Sequence, residues 1–334
     1  MHRVGATRRN FLVALGVSAL VLPHRSQVHA QPKVARIGFL YFGSRQSAMD
    51  TGRYPAFLQG MRELGYTEGA NLVMEPRFAD GNAERIPALA AELVRAKVDV
   101  VVATGGPVYR ALQHSASGIP IVTTAAIDPV GDGLAATIAR PGGNFTGLTL
   151  AAADLGPKLL EMVKATVPKA SRVAVLLHPD NVAHPPQLKR IMFAAQKKGI
   201  QMVVAEAGSA PEIEEAFAMM KKERAGGAII LADSFLFQEA RAIATQALKH
   251  RLPSIGGAQG FAEAGCLMSY GANLVENSRL SATFVVKILK GAKPGDLPFE
   301  QPTRYSLTIN LKTAKALGLT IPPALLQQSD GVIQ

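Results

Sequence analysis

Residues Ile121 to Leu150 read IVTTAAIDPVGDGLAATIARPGGNFTGLTL, and this stretch decides the fold. It opens with a short apolar, β-branched run after Pro120, the pattern of a buried strand. The run empties into a polar loop holding Thr123, Thr124 and Asp128-Pro129. Arg140-Pro-Gly-Gly-Asn144 then breaks the chain, and Phe145 to Leu150 leaves it in extended form. The stretch reads as the floor of a cleft followed by a crossing from one lobe to another.

Upstream, Lys33 to Leu40 is a first strand with Tyr41 to Ser44 as the loop at its carboxyl end. Phe57, Leu58, Met61 and Leu64 fall at helical spacing before Gly65. Asn71 to Phe78 is a second strand, and Ile86, Leu89, Ala90, Leu93 and Val94 form the apolar stripe of a helix. Val98 to Ala103, apolar but for Asp99, reads as a parallel strand covered on both faces. Thr104-Gly-Gly-Pro107 turns directly into a helix, and Ile121 to Ala125 closes a β-α-β-α-β-α-β set.

Downstream the pattern restarts. Leu155 to Val167 is a helix, and Ser171 to Leu177 a strand with the loop His178 to Asn181. Gln187 to Lys198, Ile213 to Arg224 and Gln238 to His250 are helices; Gln201 to Ala205, Ala228 to Leu231 and Ser254 to Gly256 are strands. Lys97-Val-Asp-Val-Val-Val-Ala-Thr104, a helix, then Gly118-Ile-Pro-Ile-Val answers Gly226-Gly-Ala-Ile-Ile-Leu-Ala-Asp233, a helix, then Arg251-Leu-Pro-Ser-Ile. The fold class is therefore α/β: two Rossmann-like, doubly wound lobes joined by a multi-strand hinge. In the tail, Leu267 to Tyr270 and Tyr305 to Asn310 are strands, and Leu274 to Lys290 and Leu311 to Leu317 are helices. The tail is expected to cross back and complete the first lobe, with the lobe that takes the strand Tyr305 to Asn310 left open by the pattern. That makes lobe 1 residues 31–147 plus about 272–334, and lobe 2 residues 148–271.

Length and composition agree. A chain of 334 residues, 48% hydrophobic and 18% charged, holds two domains able to bury cores. Residues 1–30 read as an export signal: Arg8-Arg9-Asn10-Phe11-Leu12, an apolar run to Leu22, and Val28-His29-Ala30 before the cleavage point. The paired arginines suit a twin-arginine route, although Val13 departs from that motif and leaves the general secretory route open. The apolar run is too short for a permanent span of roughly 20 residues. The four arginines of residues 1–30, unaccompanied by any acid, take the formal net charge from +11 to +7 on removal. The remaining lysines are scattered without clustered aromatics, which excludes a nucleic-acid surface. The single cysteine, Cys266, allows no internal disulfide, and no cysteine follows the signal to carry a lipid. The expected product is a periplasmic monomer with no stable membrane anchor.

Ligands of open parallel sheets bind beyond the carboxyl ends of the strands. That rule nominates Tyr41, Ser44, Thr104, Gly105, Gly106, Thr124 and Asp128 from one lobe. Asn181, Asp233, Ser234, Phe235 and Gly257 come from the other. The set suits a small zwitterion. The Thr104-Gly105-Gly106 helix start favours a carboxylate, Asp128 and Asp233 can each take an ammonium group, and Tyr41 and Phe235 can stack on an apolar or aromatic side chain. Each has a plain alternative. Asp128 before Pro129 can be a turn former, Thr104-Gly-Gly a tight turn, Asp233 a helix cap, and Tyr41 and Phe235 ordinary packing. Hydrolase elbows, phosphate-binding loops and zinc motifs are absent from the sequence. The His178–His184 loop reads as polar loop residues rather than a metal site, so neither metal nor cofactor is expected.

FLQGMRELG at 57–65, Asp128-Pro-Val130, Ala139-Arg-Pro-Gly-Gly-Asn-Phe-Thr-Gly147, Gly271 to Lys293 and Ile309-Asn-Leu-Lys-Thr-Ala-Lys-Ala-Leu-Gly-Leu-Thr-Ile-Pro-Pro323 resemble the ABC transporter substrate-binding proteins of the tryptophan/tyrosine-type group. The resemblance covers essentially the whole chain after the signal. It implies a type I periplasmic-binding-protein fold with three hinge crossings, and a membrane permease with its ATPase as partners. The function it implies is capture of a small organic ligand, an amino acid above all, for import; aromatic and branched side chains are both candidates, because the group's aromatic label does not identify the ligand. A ligand-sensing module for a receptor and a cleft hydrolase are the rival readings. Members of the group are often lipoproteins, and this chain lacks the lipidated cysteine.

Overall fold

The computed structural model describes residues 34–115, 118–152 and 155–334. The export-signal reading of residues 1–30 falls outside them.

Lobe 1 is built on a five-stranded parallel sheet. Its strands are β1 (Ala35–Tyr41), β2 (Leu72–Phe78), β3 (Val100–Thr104), β4 (Ile121–Ala126) and β5 (Phe145–Thr149), in the order β2-β1-β3-β4-β5. β2 carries Pro76 and lies at the sheet edge, where a residue without an N–H is tolerated. β3 is buried along its whole length, as its unbroken apolar run requires. Helices α1 (Arg45–Asp50), α2 (Arg53–Glu63), α3 (Ile86–Arg95) and α4 (Gly106–Ser115) connect the strands. Two separate apolar clusters cover the faces of this sheet, one around Leu40, Val101 and Leu112 and one around Phe39, Phe57 and Val122. The sequence reading closed the set at four strands. Phe145–Thr149 joins it as a fifth, paired in parallel with β4, because its buried β-branched and apolar residues need a partner on the open edge.

Lobe 2 begins with α5 (Gly156–Thr166), β6 (Arg172–Leu177), α6 (His184–Lys197), β7 (Gln201–Glu206), α7 (Ala210–Lys222) and β8 (Ala228–Ile230). It continues through α8 (Ser234–Gln238), α9 (Ala240–Lys249), β9 (Ser254–Gly256) and β10 (Met268–Ala272). α10 (Leu274–Leu289) then returns to lobe 1 and packs along α2. A Cβ on Gly60 of α2 would sit 2.2 Å from the Arg279 carbonyl oxygen of α10, so only glycine permits this approach.

The rest of the tail departs from the expected division. β11 (Tyr305–Asn310), α11 (Leu311–Leu317), α12 (Pro323–Gln328) and β12 (Gly331–Ile333) belong with the second sheet, whose order is β12-β11-β10-β9-β8-β6-β7. β11 runs antiparallel to β10, with Met268 opposite Ile309 and Ala272 opposite Tyr305. The expected return of residues 272–334 to lobe 1 thus holds only for α10 and the segment to about Phe299. Leu307 and Ile309 are apolar on the inner face of β11 and complete the large core of lobe 2.

The chain therefore crosses between lobes three times, after β5, between β10 and α10, and before β11. The crossings are tied together. The Thr149 N–H donates to the Glu300 carbonyl at 2.9 Å, and the Glu300 N–H donates to the Gly147 carbonyl at 2.9 Å. Buried Asn277 of α10 donates to the Thr124 carbonyl at 3.1 Å. No helix among the described residues is long and apolar enough to cross a membrane.

Candidate functional site

The carboxyl ends of β1, β3, β4 and β8 face one cleft between the lobes, enclosing about 750 Å³ with its mouth included. Seven of the nominated residues line it: Tyr41, Thr104, Gly105, Gly106, Asn181, Asp233 and Ser234. These residues lie in loops at the carboxyl ends of strands, where the two lobes face each other.

The lobes meet across this cleft through α8. Phe235 is packed against the cores of both lobes. A Cβ on Gly105 would meet Ser234 Oγ at 3.1 Å and Phe42 Cβ at 2.8 Å, and Gly105 has φ of 114°, a conformation open to glycine alone. A Cβ on neighbouring Gly106 would meet nothing within 4 Å, so that side of the α4 start is open.

Asp233 caps α8. Its Oδ1 accepts from the Phe235 and Leu236 N–H groups at 2.7 and 3.1 Å, and its Oδ2 accepts from Asn181 Nδ2 at 2.7 Å. Capping and cleft lining therefore coexist in one residue, with lone pairs left on Oδ2. His184 braces the same loop from behind. It is fully buried. Its Nδ1 accepts from the His178 N–H at 3.0 Å, and its Nε2 donates to the Ala232 carbonyl at 3.2 Å. Burial holds its pKa below the ordinary histidine value, only partly opposed by Asp233, which keeps it neutral in that tautomer. No group of three or more potential metal ligands is present among the described residues.

Five nominated residues lie elsewhere. Ser44 Oγ accepts from the Ser47 N–H at 3.1 Å as the cap of α1, and lines an adjoining outer compartment. Thr124 is buried behind the cleft wall, its hydroxyl 2.8 Å from that of Thr104. Asp128 is a turn former, its Oδ1 accepting from the Gly131 N–H at 2.9 Å. Phe235 is inter-lobe packing, with the His178 ring edge-on at 5.5 Å. Gly257 lies one residue short of the wall. Its N–H donates to the Ile230 carbonyl, and Ala258 lines the cleft in its place.

The acid facing the cleft from the β4 loop is Asp132, one turn beyond Asp128. Burial, reinforced by the Asp128 charge, pushes its pKa up to about 6, with Arg110 pulling the other way. Sequence reasoning also missed Arg53, Tyr109, Phe237 and Gln238. Arg53 and Tyr109 sit on helices and Phe237 and Gln238 on α8, so a rule that inspects strand-end loops does not reach them. Tyr109 is buried, and burial pushes its hydroxyl up to about 12. The Arg53 guanidinium stacks over Phe237 at 4.4 Å and lies 5.9 Å from the Tyr41 ring centroid. The cleft therefore presents acids, the two cations Arg53 and Arg110, hydroxyls and the four aromatic rings of Tyr41, Phe42, Tyr109 and Phe237 in one enclosure.

Known proteins share this architecture. The Vibrio cholerae O1 biovar El Tor conserved domain protein superposes with a TM-score of 0.82 and is 28% identical, covering 90% of this chain and all of its own. An ABC domain of Streptococcus pneumoniae in complex with L-Trp also gives a TM-score of 0.82, at 25% identity over 90% of this chain and 99% of that one. The tyrosine-binding protein of Clostridioides difficile is 24% identical over 264 residues, 79% of this chain and 75% of the relative. The two lobes and their parallel sheets are thus the type I periplasmic-binding-protein fold. The sequence profile of the ABC transporter substrate-binding proteins matches residues 34–333. The chain belongs to the ABC transporter substrate-binding protein family.

Proposed function

We propose that the protein captures an amino acid with an aromatic side chain between its lobes and delivers it to an ABC permease driven by a cytoplasmic ATPase. The observation that carries this reading is the cleft itself: acidic and basic groups and the rings of Tyr41, Tyr109 and Phe237 face one enclosure between two lobes. A zwitterion needs both signs of charge within one small site, and an aromatic side chain needs ring faces and edges. The relative named for tyrosine and the L-Trp complex support the same ligand class. In this reading Asp132, with the spare Oδ2 lone pairs of Asp233, receives the ammonium group. Asp128 has no part in it.

Ligand contacts to both lobes favour the closed arrangement over an open one, and the permease distinguishes the two. Export of the chain by residues 1–30 places this cycle in the periplasm. A binding role rather than catalysis fits the cleft, where the Asp233 carboxylate is engaged in capping and neutral His184 is held behind the wall by backbone groups at both nitrogens.

The test is a thermal-shift screen of the mature protein against amino acids, sugars, nucleosides and carboxylates. Tyrosine, tryptophan or phenylalanine at a hundredfold excess over the dissociation constant is expected to stabilise it by about 2.7 kcal/mol. A response confined to sugars or nucleosides would sink the amino-acid reading.

A further inference from the structure

Arg53 opens α2 and is 8% exposed. Among the described residues its guanidinium makes no hydrogen bond or ion pair, and its only partners are ring faces: Phe237 of lobe 2 at 4.4 Å and Tyr41 of lobe 1 at 5.9 Å. It stands at the partition between the inner cleft and the outer compartment, lining both together with Phe237, Gln238 and Leu274. Asp50 and Glu263 also line the outer compartment, yet neither approaches within ion-pair distance of it among the described residues.

A desolvated cation without an anion is costly. Stacking on a ring returns about 2 kcal/mol for a desolvated cation, less than the several kcal/mol that burying the charge costs, and a negative partner would make up the difference. The α4 start, open at Gly106, offers a competing seat, but a helix terminus supplies only about half an elementary charge. Arg53 supplies a full charge and a planar fork of five donors that fits a carboxylate with two parallel hydrogen bonds.

We propose that Arg53 is the carboxylate receptor of this cleft and sets its specificity for ligands with a free α-carboxylate. The inference rests on the amino-acid reading and deepens it. Because the same guanidinium stacks on Phe237 from the opposite lobe, ligand captured there is read by both lobes at once. Phe237 is a positioning residue in this scheme, holding the fork in place without touching the carboxylate.

The test is calorimetric titration of L-tyrosine, L-tyrosinamide and tyramine against the wild type and the variants Arg53→Met, Arg53→Lys and Phe237→Leu. The wild type is expected to prefer tyrosine over the two uncharged-tail analogues by about 10- to 100-fold, the range for hydrogen bonds to a charged group. In Arg53→Met that preference falls to within about threefold. Arg53→Lys keeps the charge without the fork and retains part of the preference, and it serves where the methionine variant does not fold. Phe237→Leu frees the fork without removing it, so it is expected to weaken tyrosine more than tyramine and lower the preference part of the way. Equal binding of tyrosine and tyrosinamide by the wild type, or an undiminished preference in the Arg53 variants, overturns the proposal while leaving the amino-acid reading intact. Failure of the wild type to bind any amino acid overturns that reading, and this assignment with it.

Discussion

Replacing Asp132 by asparagine tests the electrostatic account of the cleft most directly. Asp132 lines the site, and burial together with the Asp128 charge raises its pKa to about 6. Only the ionised form attracts an ammonium group. With that pKa the carboxylate is almost wholly ionised at about pH 7.5 and about one-tenth ionised at about pH 5. Affinity for tyrosine or tryptophan is therefore expected to fall about tenfold between those values, with a slope approaching one decade per pH unit below 6. The ligand's own ammonium group stays protonated across most of that range, and Arg110, the opposing neighbour, stays charged throughout. Asp132→Asn keeps the shape and removes the charge. It should bind about 10- to 100-fold more weakly at neutral pH, with a flat pH profile. Asp128→Ala is the control: its carboxylate serves the Gly131 N–H, so it should leave affinity within a few-fold and move the Asp132 midpoint downward. The stability sign runs opposite to that of an ordinary paired aspartate. The folded pKa lies above the unfolded value of 3.8, so unliganded protein gains stability as pH falls from about 6 towards 4, and Asp132→Asn should abolish that gain. Isothermal titration between about pH 5 and 7.5 reads the affinities, and thermal melts read the stability. A wild-type affinity that stays level across this window, or an asparagine variant that keeps the slope, refutes the reasoning.

Gly105→Ala combines a disfavoured φ with a clash against Phe42 and Ser234. It should cost about 1–3 kcal/mol of stability and depress ligand affinity further, because Ser234 comes from the other lobe; normal titration curves would contradict this. Gly60→Ala forces α2 away from the Arg279 carbonyl. Overpacking of about 1–3 kcal/mol should outweigh a helix-propensity gain of up to about 1 kcal/mol, and a variant with an unchanged or higher melting point would refute the close-packing account. His184→Leu leaves the His178 N–H and the Ala232 carbonyl without partners and should cost about 2–4 kcal/mol by urea denaturation. Its lowered folded pKa means that the wild type loses stability as pH falls below about 6.5, a loss the leucine variant should not share.

The Asp128 and Asp132 pair shows what was legible in the sequence. Asp-Pro after a strand marks a polar loop at the right place, and that placement follows from local chemistry alone. Which of two carboxylates four residues apart points inward depends on how the loop turns, and only the folded loop decides that. Asp233 illustrates the converse. Its cap geometry was readable from Asp-Ser before an apolar run, and its position at the end of β8 put it in the cleft as well.

Hydrophobic periodicity and strand-to-helix turns are short-range signals. They were enough to read the α/β class, most of the elements and the strand ends at which the cleft opens. Ser254–Gly256, Tyr305–Asn310 and Leu311–Leu317 take the bounds the pattern predicts. The partner of β11 was not readable, since an apolar strand is equally content against either lobe's free edge until the path of α10 is known. Arg53 was not readable either. It lies in the first turn of an amphipathic helix, where an arginine ordinarily faces water, and only the approach of Phe237 from the second lobe encloses it. Tertiary structure alone decided the tail's division and the charged heart of the cleft, because both depend on surfaces far apart in sequence meeting in space.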